Sequence, residues 1–437
     1  MKIKRIQMSY EDVMALPRAK HRTPKLPSIL FRTLVRAVSQ IDLWKAHFRF
    51  TGRIDRSKGP YLVLMNHSSF IDLEIASRIL YPMQYNIVCT LDALVGKSWL
   101  MRQIGCIPTH KFVTDVTLIR DMEYSLKRGS SVLMYPEAGY SFDGRATTLP
   151  RKLGMLLKRL GVPVLFIETH GAFTRDPLYN GLQLRHVPVS AHVSTLLTKE
   201  QIEAYSVAEL DAKIDSAFAF DNFAWQKEEN IEVNEPFRAD GLERILYRCA
   251  HCNTEGTMKG EGIYLTCSHC GKRYRMDEYG QLVAEDGETE FSHIPDWYAW
   301  QRECVRQELL DETYRLDVPV KISMMIDHHA LYDVGEGRLV HDTEGFHLTG
   351  CDGKLDYFQK ARASYGLNAD YFWYEISDVI GIGNMHELYY CFPPSDVSVA
   401  KARLAAEELY KLHQDREYHR AHTHEHPADG AIATATL

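Results

Sequence analysis

YLVLMNHSSFID, residues 61–72, decides the fold of the surrounding chain. Its first five residues are an apolar, strand-like run that ends at Asn66-His67, and a helix-start pattern follows directly. Ser69 followed three residues later by Asp72 has the form of a capping box, which predicts a helix over 70–80 with Asp72 in its first turn. A histidine just before such a helix can fold back over that turn, so we expect His67 and Asp72 to be in contact.

A carboxylate next to a histidine is the arrangement of a general base. It fixes the tautomer and supports the imidazolium that forms when the other ring nitrogen accepts a proton. The alternative is that Asp72 only caps the helix and His67 is an ordinary loop histidine. The spacing His-x4-Asp alone favours that alternative, so the assignment depends on residues further along the chain.

Three further blocks follow in the chain: GCIPTHK at 105–111, YPEAGYSFDG at 135–144 and GVPVLFIETHG at 161–171. Together with NHSSFID they resemble, in order, the four blocks of the 1-acylglycerol-3-phosphate acyltransferases and their glycerolipid relatives. Four blocks in the right order over about a hundred residues are specific where one alone is weak. The resemblance covers roughly residues 26–208.

The resemblance implies an α/β sandwich that moves an acyl group from a thioester, acyl-CoA or acyl carrier protein, to the hydroxyl of 1-acylglycerol 3-phosphate. His67 is then the general base and Asp72 orients it. Glu137 is expected at a strand end in the cleft, where it and its neighbours Ala138, Gly139 and Ser141 help to hold the acceptor.

The sequence departs from the family pattern where phosphate is recognised. Tyr140 stands in place of an arginine, Ala138 in place of a glycine, and Lys111 in place of another arginine. Lysine keeps the charge but loses the two-pronged bond to phosphate. Arg145, Arg151 and Lys152 either restore a phosphate-binding cluster or form the solvated face of a helix over 149–160.

Composition predicts a soluble chain of two to three domains: 437 residues, 45% hydrophobic and 25% charged. The sequence has no apolar run of membrane-span length and no signal peptide at its start, so we expect a cytoplasmic protein, peripheral on the inner face of the membrane. Net charge is -7, but residues 1–60 carry +10 and the remainder -17. The basic front suits anionic lipid headgroups or an acidic carrier protein; a solvated face without a partner is the alternative.

Strand and helix patterns alternate through the first 230 residues, which predicts one α/β acyltransferase domain over 1–230. The stretch 28–44 has apolar residues at helical spacing, interrupted by Arg32, Arg36 and Asp42. This amphipathic helix either lies on a membrane surface or covers the sheet, and the pattern favours neither.

Two Cys-x2-Cys pairs, CAHC at 249–252 and CSHC at 267–270, predict a zinc ribbon over 240–282. Its ligands are Cys249, Cys252, Cys267 and Cys270. A site closed by four sulfurs leaves no position for substrate, so this zinc is expected to be structural. His251 and His269 lie inside the pairs and are expected to be bystanders.

The remaining chain is predicted to hold a linker helix over 295–317, a β-rich domain over 318–412 and a disordered, histidine-rich tail over 413–437. The last domain has several strands and then a helix at 395–411. That order resembles the pleckstrin-homology and GRAM modules, in which a terminal helix plugs a small bent sheet.

Two other functions stay open. The acceptor could be another lysophospholipid, a glycolipid or an aminolipid, as the missing arginines suggest. Alternatively, the protein is catalytically silent and binds a lipid or a partner. A nucleic-acid partner is disfavoured, because the chain after residue 60 is acidic.

Overall fold

The structure is a computed structural model, and it describes residues 2–111, 113, 115–150 and 153–423. The elements of the first part of the chain are, in order, β1 (Arg5–Gln7), α1 (Tyr10–Ala15), α2 (Ile29–Lys45), β2 (Arg49–Gly52), β3 (Leu62–Met65), α3 (Ile71–Leu80), β4 (Tyr85–Thr90), α4 (Ser98–Gln103), β5 (Cys106–Thr109), α5 (Val116–Lys127), β6 (Ser131–Met134), α6 (Leu153–Leu160), β7 (Val164–His170), α7 (Ala172–Arg175), β8 (Ser190–Leu197), α8 (Lys199–Ala204), α9 (Val207–Ala217) and α10 (Asn222–Glu228).

Strands β2 to β8 form one sheet in the order β2-β8-β7-β3-β6-β4-β5. All neighbours are parallel except β7 and β8. The four-residue strands β3 and β6 are buried throughout, as expected for central strands covered on both faces. The α/β class predicted for this part is confirmed. His67 follows β3 and Glu137 follows β6, so both lie at the carboxyl edge of the sheet, where sites of such folds form.

Helix α2 both covers the sheet and exposes an apolar face. Leu43 is buried, and the Ser39 hydroxyl lies 3.2 Å from that of Ser77 on α3. The exposed apolar side chains of the helix are Ile29, Leu30, Leu34, Val38, Ile41 and Trp44. The two alternatives left by the sequence are therefore not exclusive. Across the described ranges, the structure has no helix with the length and apolar character of a membrane span.

The middle of the chain folds into a four-stranded antiparallel sheet and one long helix: β9 (Met258–Glu261), β10 (Tyr264–Cys267), β11 (Arg273–Met276), β12 (Leu282–Ala284) and α11 (Ile294–Leu310). The chain between the two cysteine pairs forms the antiparallel hairpin β9–β10. Helix α11 ends at Leu310, before the predicted boundary at 317, and an extended strand already starts at Leu316.

The last part is an antiparallel sheet closed by a helix: β13 (Leu316–Met325), β14 (Leu331–Asp342), β15 (Gly345–Gly350), β16 (Leu355–Lys360), β17 (Asn368–Trp373), β18 (Ser377–Gly383), β19 (Leu388–Phe392) and α12 (Val399–Thr423). The strand order is β16-β15-β14-β13-β19-β18-β17. A β-rich domain is thus present. Strand β1 pairs in parallel with β14, so residues 5–7 belong to this sheet and not to the acyltransferase-like domain predicted over 1–230.

The predicted tail needs a correction at its start. Helix α12 continues to Thr423, well past residue 413, because no proline or glycine interrupts the sequence between 399 and 423. The remainder of the predicted tail, 424–437, lies outside the described residues.

One hydrophobic core joins the three parts. Phe142 and Phe173 of the first part share a buried cluster with Trp297 of α11 and Tyr371 of β17. The Phe142 and Tyr371 rings lie 4.5 Å apart between centroids. The loop after β6 is therefore held by the two C-terminal parts of the molecule.

Candidate active site

His67 and Asp72 are brought together, as the sequence predicts. The Nδ1 atom of His67 lies 3.1 Å from Oδ2 of Asp72. An ionised carboxylate only accepts hydrogen bonds, so Nδ1 carries the proton and Nε2 presents its lone pair. Among the residues that the structure describes, Nε2 has no hydrogen-bond partner. The imidazole is 21% exposed, whereas Asp72 is fully buried.

Asp72 and the loop before α3 hold each other in place through hydrogen bonds. Its Oδ2 atom also accepts the backbone N–H groups of Ser68 and Ser69, at 2.7 and 3.0 Å. The bond to Ser69 is the carboxylate half of the predicted capping box. The other half differs, because the Ser69 hydroxyl accepts from the Ile71 N–H and α3 begins at Ile71 with Phe70 as its N-cap. The helix thus starts one residue later than predicted.

Two tyrosines enclose the His67 ring. Its centroid lies 4.1 Å from that of Tyr135 and 4.2 Å from that of Tyr140. Such stacking restricts rotation of the imidazole, and the negative ring faces stabilise it when it is protonated. This role is not visible in the sequence, because both tyrosines lie in the third block but only the fold shows that they face the histidine.

Glu137 is buried and accepts hydrogen bonds from two backbone N–H groups, whereas the sequence predicts that it projects into the cleft. Its two carboxylate oxygens accept the N–H groups of His67 at 2.8 Å and Thr147 at 2.9 Å. Its exposure is 1%. Burial raises the pKa of Glu137 to about 7, although both hydrogen bonds act in the opposite direction. Glu137 therefore fixes the position of the His67 loop, and an acceptor hydroxyl does not need to contact it.

The other predicted residues of the third block form a tight turn beside this carboxylate. Ala138 has φ +54°, in the left-handed region that glycine adopts without strain. Gly139 follows, and a Cβ there would meet nothing within 4 Å. Ser141 is buried; its N–H donates to the His67 carbonyl at 3.2 Å, and its hydroxyl donates to the Arg145 carbonyl. Ser141 thus serves the backbone of the loop.

The C-terminal helix also reaches this loop. Arg403 of α12 donates to the Tyr140 carbonyl at 3.2 Å, and its guanidinium lies 4.2 Å from the centroid of the Phe142 ring. Glu407 balances its charge at 3.1 Å. Nothing in the local sequence around Tyr140 indicates a partner 263 residues away, so the contact with Arg403 is seen only in the fold.

The four cations proposed for phosphate binding are in different situations. Arg145 is ion-paired with Asp221 at 2.7 Å and Asp296 at 2.8 Å, so its charge is balanced by two carboxylates. Lys152, like Arg151, lies outside the described residues. Lys111 lines a cavity between the first and last parts of the molecule.

A second acidic group supports the same loop. The Ser69 hydroxyl donates to Oδ1 of Asp176 at 2.5 Å, and Arg175 lies 3.7 Å from the same carboxylate. Burial raises the pKa of Asp176 to about 7, although the Ser69 and Arg175 contacts oppose the rise. Burial likewise raises the pKa of Glu74, on α3, to about 7. The buried Asp176 and the half-buried Glu74 therefore lose a proton near neutrality, as Glu137 does.

The four cysteines converge on one point. The Sγ atoms of Cys249 and Cys270 are 3.8 Å apart, as are those of Cys252 and Cys267, and all four lie within 4.8 Å of one another. Tetrahedral Zn–S bonds of about 2.3 Å require sulfurs roughly 3.8 Å apart, so the cluster fits a zinc ion. The two bystander histidines have other partners: His251 contacts Glu290, and His269 contacts Thr254.

Comparison with known proteins supports an acyltransferase domain. Residues 47–166, which include His67, Asp72 and Glu137, match the family model described as Acyltransferase. A chloroplastic 1-acyl-sn-glycerol-3-phosphate acyltransferase of Brassica napus is 22% identical over 137 residues, which are 31% of this chain and 40% of that protein. The 1-acyl-sn-glycerophosphate acyltransferase structure from Thermotoga maritima is 18% identical, with a TM-score of 0.35, over 43% of this chain and 76% of that one.

The resemblance predicted for residues 26–208 is thus confirmed over 47–166. The match spans less than half of the length of the Brassica relative.

Proposed function

We propose that this protein is an O-acyltransferase that moves a fatty acyl group from an acyl-CoA or acyl carrier protein thioester to the free hydroxyl of 1-acylglycerol 3-phosphate. One observation carries the proposal: within the matched domain, a partly exposed histidine at the carboxyl edge of the sheet donates Nδ1–H to a buried aspartate. That pair is a general base, and the transfer requires one.

The chemistry follows from the two ring nitrogens. Nε2 of His67 takes the proton of the acceptor hydroxyl as its oxygen attacks the thioester carbonyl. The imidazolium is stabilised by Asp72 and by the faces of Tyr135 and Tyr140. When the carbon–sulfur bond breaks, Nε2 returns the proton to the leaving thiolate. The products are the ester and the free thiol, and no side chain needs to be acylated.

Two observations support 1-acylglycerol 3-phosphate as the acceptor: the position of Lys111, and the similarity to 1-acylglycerol-3-phosphate acyltransferases. Lys111 lines a cavity at the same edge of the sheet as His67 and supplies positive charge for a phosphate. Tyr140 in place of an arginine and the pairing of Arg145 favour the rival acceptors, another lysophospholipid, a glycolipid or an aminolipid.

A panel of lyso-lipids offered with labelled acyl-CoA and labelled acyl carrier protein tests this choice. We expect transfer to 1-acylglycerol 3-phosphate to exceed transfer to every other acceptor. Transfer only to acceptors that lack phosphate would overturn the choice of acceptor and leave the acyl chemistry standing. The absence of transfer to all of them would favour the rival, catalytically silent lipid- or partner-binding protein.

Helix α2 is proposed to bring the enzyme to the lipid, on the cytoplasmic face of the membrane. Its six exposed apolar side chains, Ile29 to Trp44, share one helix with Arg32, Arg36 and Lys45. Apolar side chains that enter the acyl region together with basic ones at the headgroup level characterise an interfacial helix. The net charge of +10 in residues 1–60 favours anionic lipids.

The two C-terminal parts are proposed to be structural and positioning modules. Zinc bound by Cys249, Cys252, Cys267 and Cys270 would fix the ribbon, on the fit of their sulfur spacings. The strand order β16-β15-β14-β13-β19-β18-β17, followed by one helix, supports a pleckstrin-homology-like module. Its helix α12 contacts the loop after β6 through the hydrogen bond from Arg403 to the Tyr140 carbonyl.

A further inference from the structure

A cavity of about 370 Å³ lies between the acyltransferase domain and the β-rich domain. One wall comes from the ends of β4 and β5, with Thr90, Thr109 and Lys111. The opposite wall comes from β16 to β19, with Lys360 and Asn368. Its volume is within the usual range of small-molecule sites, which favour domain interfaces.

The two walls are held in a fixed relation. Val95, just after β4, shares a buried cluster with Trp373, Tyr390 and Phe392 of the β-rich domain. The Gly96 N–H donates to the His328 carbonyl at 3.1 Å across the same boundary. The cavity is therefore a permanent feature of the interface, since an apolar core on one side keeps the walls in place.

Its lining requires a ligand with two kinds of polar group. Lys111 and Lys360 line opposite walls, and their two positive charges exceed the one negative charge of Asp92, which also lines the cavity, so the lining attracts an anion. Oδ1 of Asn368 is buried and has no hydrogen-bond partner among the described residues. The Asn368 amide packs on Gly381, where an added Cβ would lie 2.5 Å from Nδ2. A buried, unpaired carbonyl oxygen is costly, and Asn368 lines the cavity, so rotation of its amide would pair this oxygen with an O–H or N–H donor of a ligand.

The cavity shares the carboxyl edge of the sheet with His67. Strand β5 is three positions from β3, through β4 and β6. At about 4.8 Å per strand the lateral separation is roughly 14 Å. One extended substrate molecule can therefore occupy the cavity with its polar end and reach His67 with its reacting end.

We infer that this interdomain cavity binds the phosphorylated end of the acyl donor's phosphopantetheine arm, so that the β-rich domain forms half of the donor-binding site. The inference rests on the proposed acyl transfer. The chemistry required is a phosphate beside a hydroxyl or an amide N–H, at a distance from the reacting group. The phosphopantetheine arm of an acyl-CoA or carrier-protein donor has it, whereas the hydroxyl of 1-acylglycerol 3-phosphate reacts at His67 and lies one carbon from its phosphate ester.

Steady-state kinetics of the full-length Lys360→Met and Asn368→Leu variants tests the inference, with Lys321→Met as the matched control. Lys360 and Lys321 are both exposed lysines on strands of the same domain, so neither change disturbs packing, but only Lys360 lines the cavity. For both cavity variants we expect KM for the acyl donor to rise about tenfold or more while kcat stays within about twofold, since a charge-assisted or buried hydrogen bond is lost. A rise confined to KM for the acceptor would contradict the assignment to phosphopantetheine. Unchanged KM values for both substrates would overturn the inference.

A binding measurement separates this inference from the proposed function. Calorimetric titration of the wild-type chain with coenzyme A, and separately with 1-acylglycerol 3-phosphate below its micellar concentration, needs no turnover. We expect coenzyme A to bind the wild type and the Lys321→Met control equally and Lys360→Met about tenfold more weakly, with no such loss for 1-acylglycerol 3-phosphate. Equal affinity of coenzyme A for all three proteins, or no binding of coenzyme A, would contradict the inference even if acyl transfer is observed.

Discussion

Replacement of Glu137 distinguishes a residue that positions the His67 loop from one that binds the acceptor. In Glu137→Ala the N–H groups of His67 and Thr147 both lose their acceptor inside the protein. Each unpaired N–H costs about 1–3 kcal/mol, which corresponds to roughly 5- to 150-fold faster amide exchange at each of the two positions if they open locally. In Glu137→Gln one oxygen remains as an acceptor, so only one of the two amides should exchange faster.

The assay is hydrogen–deuterium exchange of the peptides covering 61–72 and 140–150, combined with acyl-transfer kinetics. Because a displaced base is poorly aligned with the hydroxyl, we expect kcat of Glu137→Ala to fall by about 100-fold while KM for the acceptor changes little. The control is Glu203→Gln, an exposed glutamate of α8, which should alter neither quantity. Unchanged exchange together with a higher acceptor KM would refute the positioning role and return Glu137 to the acceptor site.

Three further predictions concern pH, zinc and the membrane. Burial raises the pKa of Asp176 from 3.8 to about 7, so the stability contributed by its protonated form is present below pH 4 and is lost as pH rises through 7. We therefore expect the apparent Tm to be lower at pH 8.5 than at pH 5.5, and we expect Asp176→Asn to reduce that difference. An equal difference in both proteins would contradict the raised pKa. A strong chelator should release one zinc per chain and unfold the ribbon, which proteolysis within 240–284 would detect as faster cleavage. If the protein contains no zinc after expression in zinc-supplemented medium, the four cysteines are not a zinc site. A variant of α2 with serine at Leu30, Leu34, Val38 and Trp44 should bind anionic vesicles at least about tenfold more weakly than the wild type. The control variant, with serine at the exposed Leu184 and Val283, should bind like the wild type. Equal binding of the two variants would exclude α2 as the membrane contact.

The parts of the site that local sequence encodes were predictable. The apolar run of β3, the helix-start pattern of α3 and the short loop between them predict the contact of His67 with Asp72, because all the interacting groups lie within eleven residues. The cysteine pairs are predictable for the same reason, since each turn carries two ligands and the spacing defines a hairpin.

Interactions between distant segments could not be read from the sequence. Arg145 resembles a phosphate ligand beside its block, but its ion pairs with Asp221 and Asp296 are set by the packing of α10 and α11. Strand β1 pairs with residues more than 300 positions away, at Leu331–Asp333. Strand β16 has little sequence signal of its own, because it is short and most of its side chains are exposed or half-buried, so it lacks the apolar run of a buried strand.

The most direct measurement of the central claim is acyl transfer by His67→Gln, a variant that keeps a polar side chain between the two tyrosine rings. His192→Gln, at an exposed histidine of β8, is the matched control. We predict that His67→Gln loses about 100- to 10,000-fold in kcat at an unchanged apparent Tm, because it removes the general base and leaves the fold in place. Wild-type kcat in His67→Gln would show that this histidine does not take the proton of the acceptor hydroxyl.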